Sequence, residues 1–160
     1  MRTPCTSDLI KQSSICLTLQ GPDAEGHIRA FDSLNVEVFR FVVAKDSVYC
    51  VAPNEQQICA IHHRFLSGTH TLEMHGQKIK IKQSWEGMQY GKDIHTQSGV
   101  LKWRPANAGH EELHDANKNI LARGKLPGLL SRKSATLRVF VRDEHILHII
   151  LGSWLVMLRD

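Results

Sequence analysis

The sequence predicts a mainly β fold: an antiparallel barrel of about eight to twelve short strands wrapped around a hydrophobic C-terminal helix. Three observations predict it. β-rich runs of alternating polar and apolar residues follow one another from residue 28 to residue 141, each bounded by turn residues. The chain then closes on EHILHIILGSWLVMLRD, in which only His148, Gly152 and Ser153 interrupt the apolar residues between Ile146 and Leu158. No repeat, linker or low-complexity stretch divides the 160 residues, so strands and terminal block must share one core.

Taken in order, residues 1–25 read as an N-terminal arm or an added strand, and residues 26–160 as a single domain. HIRAFD and VEVFRFVVA are strand-like. DSVYCVAPNEQQICAIHHR reads as a hairpin centred on Asn54-Glu55, which sets Cys50 opposite Cys59 and Val48 opposite Ile61. THTLEMHGQKIKIKQSW is a second hairpin. Gly76-Gln77 suits a type II′ turn, which takes Gly first, and this register pairs Met74 with Ile79 and Leu72 with Ile81. Lys78, Lys80 and Lys82 then share the opposite, wet face. Val100 to Arg104 alternates, HEELHD and NILARG flank a turn at 116–118, and SATLRVFVRD places Leu137, Val139 and Val141 on one face. Pro127-Gly128 marks a loop.

Asp143 can cap a helix over residues 144–158. Such a helix is ~22 Å long, short of the ~30 Å hydrocarbon core of a bilayer, and it is apolar on every side. A helix with no polar face must be surrounded, and in a chain of strands the surround is a barrel. Strand is the rival assignment for ILHIIL, but no turn residue divides the block. The small Gly152-Ser153 surface lets a strand approach the helix closely.

SVYCVAPNEQQICAIHHR, LEMHGQKIKI, GVLKWR with Trp103, ELHDANKNILARG and the apolar tail together resemble a family of small fungal tubby-like domains of unknown function. The resemblance spans roughly residues 30–160. It places the chain in the superfamily of the tubby C-terminal domain, the phospholipid scramblases and the plant LURP-one-related proteins. It implies the barrel-around-helix plan, and, by likeness to tubby domains, phosphoinositide binding through a basic barrel surface.

The chemistry is less marked. The chain has 20 Lys+Arg against 16 Asp+Glu, a net charge of +4 that suits anionic partners. The candidate ligand-binding residues are Lys78, Lys80 and Lys82, together with Lys125, Arg132 and Lys133; the partner they fit is an anionic lipid headgroup or an acidic protein surface. A solvated lysine edge that blocks strand aggregation is the plain alternative. Aromatic content of 6%, with no aromatic platform among the lysines, argues against nucleic acid. HEELH at 110–114 has the form of a zinc-hydrolase motif, but the turns around it leave a strand-length segment. On a strand the two imidazoles stand ~13 Å apart, so no metal and no cofactor is expected. His62-His63 point to opposite faces, and nothing marks Cys50 or Cys59 as an activated nucleophile. The N-terminus lacks an apolar signal-peptide core and Cys5, Cys16, Cys50 and Cys59 form no CxxC pair, so a reduced cytoplasmic setting, peripheral to a membrane, is expected. Two functions stay open: a non-enzymatic binding module, or an enzyme with a His/carboxylate acid-base site in a barrel-rim pocket acting on a small hydrophobic substrate.

Overall fold

The structure, a computed structural model, describes residues 15–44, 47–64, 68–126 and 135–159. Its strands are β1 (Ile15–Gln20), β2 (Ile28–Phe31), β3 (Glu37–Val43), β4 (Ser47–Val51), β5 (Gln57–Arg64) and β6 (Thr69–Met74). They continue as β7 (Gln77–Glu86), β8 (Gln89–Thr96), β9 (Gly99–Pro105), β10 (His110–His114), β11 (Ile120–Lys125) and β12 (Ala135–Val139), and the chain ends in helix α1 (Glu144–Arg159). Each strand pairs antiparallel with its neighbour in sequence, and β1 pairs with β12 to close a twelve-stranded barrel.

The β4–β5 hairpin has the expected register, with Cys50 opposite Cys59 and Val48 opposite Ile61. The β6–β7 hairpin differs. Its turn is His75-Gly76, so Met74 faces Gln77 and Leu72 faces Ile79. Both turn residues have positive φ, 49° and 73°. That is the type I′ requirement, which takes Gly second rather than first. The slip is two residues, so every side chain keeps its face: Ile79 and Ile81 are buried, while Lys78, Lys80 and Lys82 are exposed.

Helix α1 runs through the barrel. The Asp143 carboxylate accepts the Ile146 N–H at 3.0 Å, the expected cap. Every residue from His148 to Val156 is buried, which a helix lying on a surface cannot achieve. Strands on different sides of the barrel touch it. Trp103 Nε1 of β9 donates to Ser153 Oγ at 2.9 Å, and Ser153 Oγ donates to the Ile150 carbonyl. A Cβ on Gly152 would stand 2.6 Å from Leu72 Cδ1 of β6, the close approach expected at this small surface. A Cβ on Gly124 of β11 would stand 2.4 Å from the Trp154 ring. No helix among the described residues is long and apolar enough to cross a membrane.

Strand alternation gives the barrel two ends. The β6–β7 and β8–β9 turns lie at the end where α1 enters, and His75 of the first turn stacks on His148, ring centroids 5.7 Å apart. The β7–β8 hairpin lies at the other end.

Candidate functional site

The lysines of β7 stand on one outward face, but not alone. Lys78 pairs across the sheet with Glu73, Lys80 with Thr71 on one side and His95 on the other, and Lys82 with Asp93. Three cations thus meet two carboxylates directly opposite them. Lys125 is elsewhere, at the end of β11, opposite Thr136 and His110. Arg132 and Lys133 lie outside the described residues.

A second basic surface surrounds Lys125. On β11 and β12, Leu121, Ala122, Gly124, Ala135, Leu137 and Val139 are buried, whereas Arg123, Lys125, Thr136 and Arg138 are not. Alternation therefore puts Arg123 directly opposite Arg138, with Lys125 two residues along. On the outer side of β12, Arg138 faces Cys16 and Thr136 faces Thr18. Arg123, Arg138, Thr136, Cys16 and Thr18, with His110, line a cleft of about 530 Å³ on the barrel wall. Like charges directly opposite in a sheet repel. Among the described residues Arg123 has one carboxylate, Glu112 at 3.8 Å, which also sits 3.5 Å from His114. Arg138 donates to the Cys16 thiol at 3.3 Å and, among the described residues, makes no ion pair. Arg123, Arg138 and Lys125 thus outnumber the one carboxylate by two. The sequence analysis missed the two arginines because LARGK and LRV lie apart in the sequence. Each run shows its outward basic residue, but only the β11–β12 register sets them opposite.

The catalytic alternatives fare differently. HEELH is strand β10, flanked by β9 and β11, and not a helix; among the described residues no group of three or more His, Cys, Asp or Glu is placed to hold a metal. Cys50 and Cys59 are free and buried, and contact with the Cys59 thiol, followed by burial, holds the Cys50 thiol well above its ordinary pKa. That is the reverse of nucleophile activation. Ser47 Oγ lies 2.7 Å from His62 Nδ1, and His62 Nε2 lies 3.3 Å from Glu73. The three form a relay, but on the outer wall of adjacent strands paired on both sides, where no described residue is seen to enclose a substrate. A cleft of about 390 Å³ at the rim where α1 enters is lined by His95, His145 and Lys78, with no carboxylate or tryptophan among its walls.

Among solved structures, the chain is similar to an X-ray structure of a protein from Arabidopsis thaliana, with a TM-score of 0.65, 10% sequence identity, and coverage of 92% of this chain and 90% of that one. At that identity the likeness concerns the fold. The closed barrel followed by a C-terminal helix is the barrel-around-helix fold that the sequence predicts. No family model matches the chain, and no curated protein matches it in sequence.

Proposed function

We propose that this chain is a non-enzymatic module that docks on the cytoplasmic face of anionic membranes by taking a phosphorylated headgroup into the cleft of β1, β10, β11 and β12. One observation carries the reading: Arg123 and Arg138 are directly opposed across the sheet, and Arg138 has no carboxylate partner among the described residues. An anion between the two guanidiniums turns a repulsive pair into two charge-assisted contacts, and the planar fork of arginine suits phosphate oxygens. Thr18 and Thr136 add hydroxyl donors in the same cleft, and Lys125 a third cation at its edge. The lysines of β7 act as a secondary, weaker surface, because Glu73 and Asp93 stand opposite two of them. The helix-filled interior favours binding on the wall over chemistry inside the barrel.

The test is co-sedimentation with vesicles of phosphatidylcholine alone, with phosphatidylserine, and with a phosphoinositide, alongside inositol hexakisphosphate as a soluble competitor. Binding should need anionic lipid, weaken as salt rises, and be displaced by the competitor. The Arg123→Gln, Arg138→Gln double variant should lose most of it. Sedimentation of the double variant equal to wild type would overturn the cleft, and no sedimentation of wild type at low salt would overturn the membrane reading.

A further inference from the structure

The rim where α1 enters leaves a gap between the helix and the strands. His75 of the β6–β7 turn leans on the helix, its ring centroid 5.9 Å from that of His145 and 5.7 Å from that of His148. The next turn of the rim, between β8 and β9, is closed on itself, because Thr96 Oγ1 donates to the Gly99 carbonyl at 2.6 Å. Between these two turns and the start of α1 lies the rim cleft of about 390 Å³, walled by described residues. Small-molecule sites occupy ~300–1,000 Å³, so the cleft is of that size.

Its floor and its lip differ in chemistry. Ile146 and Ile149, three apart on the helix, share the face that lines it. Ile79 of β7 and Leu101 of β9 line it from the barrel. Ile79 is buried, and Leu101 stands opposite the fully buried Ile94, so it shares that inward face. Four aliphatic side chains thus make an apolar floor. The lip carries Lys78, His95 and His145, all exposed, together with the Gln77 amide and the Ser98 hydroxyl. No carboxylate lines the cleft. Glu73, opposite Lys78 in the sheet, lies 3.3 Å from His62, and among the described residues Lys78 makes no ion pair. Glu144, beside His145 in the chain, lies 3.8 Å from His148 Nε2.

We propose that the rim cleft binds a small organic monocarboxylate with an apolar body, such as a medium-chain fatty acid. The aliphatic floor takes the body out of water. The lip supplies one full positive charge with further N–H and O–H donors, which fits a carboxylate held at the mouth. A single lysine suits a single negative charge; a phosphate ester is better matched by the opposed arginines of the wall cleft. The site goes beyond the membrane reading and shares no residue with the cleft of β1, β10, β11 and β12.

The test is isothermal calorimetry on the full chain with octanoate, octanol and octylamine, which share one apolar body and differ in the charge of the head. Octanoate should bind tighter than octanol by about tenfold or more, and octylamine no better than octanol. Lys78→Gln, at an exposed position, should weaken octanoate by about tenfold and leave octanol unchanged. In the isotope-labelled chain, octanoate should shift the amide resonances of Gln77, Ser98 and Ile146. Octanol binding as tight as octanoate would overturn the proposal, and so would an unchanged octanoate affinity in Lys78→Gln. Absence of octanoate binding at millimolar concentration, or shifts confined to β11 and β12, would do the same. The Arg123→Gln, Arg138→Gln variant should bind octanoate as wild type does, so the rim site and the wall cleft stand or fall separately.

Discussion

Two walls of the barrel, the lysine-bearing β6–β8 and the arginine-bearing β11–β12, solve the same inner problem and leave opposite outer ones. Inside, each meets α1 at a glycine. On the first wall Leu72 projects from the strand onto Gly152 of the helix; on the second Trp154 projects from the helix onto Gly124 of the strand. Outside, Lys78 and Lys82 face carboxylates, whereas Arg123 faces Arg138. Basic residues clustered in sequence are therefore not the same thing as unneutralised charge in space. The wall with the longer run of lysines is the one that sets carboxylates opposite them.

Both walls fail together if the helix between them does. Leu151 is fully buried, and Leu151→Asp places an unpaired charge in the core at a cost of several kcal/mol; no soluble folded chain is expected, as judged by circular dichroism and solubility. The walls separate at their glycines. Gly124→Ala should cost about 1–3 kcal/mol, because the Trp154 ring is itself fully buried and has nowhere to move. Gly152→Ala should fall toward the low end of that range, because the atom it meets is the far end of a flexible leucine side chain. Urea midpoints of the two variants decide the order, and a larger loss for Gly152→Ala would reverse the assignment of the tighter wall. Outside, Arg123→Gln with Arg138→Gln should weaken binding to anionic vesicles by about tenfold or more, since charged hydrogen bonds are worth ~1.5–3 kcal/mol each. Changing Lys78, Lys80 and Lys82 together to Gln should weaken it by about threefold or less. The reverse ranking in co-sedimentation would move the site to the lysine wall.

The smallest effect is one of pH. Burial holds the His148 imidazole below its ordinary pKa of 6.5; Glu144 opposes this, while His75 and His145 add to it. The unfolded chain then takes up the proton first, so stability falls as pH drops through 6.5. Glu111 works the other way. Burial raises its carboxyl above 4.5, so as pH falls toward 4.5 the native state binds more protons and part of the loss is offset. His148→Asn should flatten the dependence of the urea midpoint on pH between 7.5 and 5.5, and an unchanged slope would exclude His148 as its source.

Much of the fold was legible because it rests on periodicity. Alternation assigns β7 and β12 to in and out correctly, and the all-apolar face of α1 demands a surround. The β6–β7 turn was misplaced because Gly76 satisfies either of two turn types, and only the backbone tells which. The slip was silent for the lysines because two residues restore the same face. The candidate cleft was hardly legible. Lys125 points to it, but Arg123, Arg138 and Thr18 come from three strands, and β1 and β12 are brought together only by barrel closure.

The closure of β1 on β12 also sets an order of assembly. Leu17 pairs with Leu137, far along the chain, and the helix that fills the lumen follows both. Until α1 leaves the ribosome, β1 has one free edge and the lumen-facing leucines and isoleucines have nothing to cover them. Local hairpins such as β6–β7 can form early, but the last non-local step must bear a large loop-closure entropy at once. A nascent chain of this architecture is long exposed as an open, sticky sheet, and its yield in a cell will depend on what shields that sheet during synthesis.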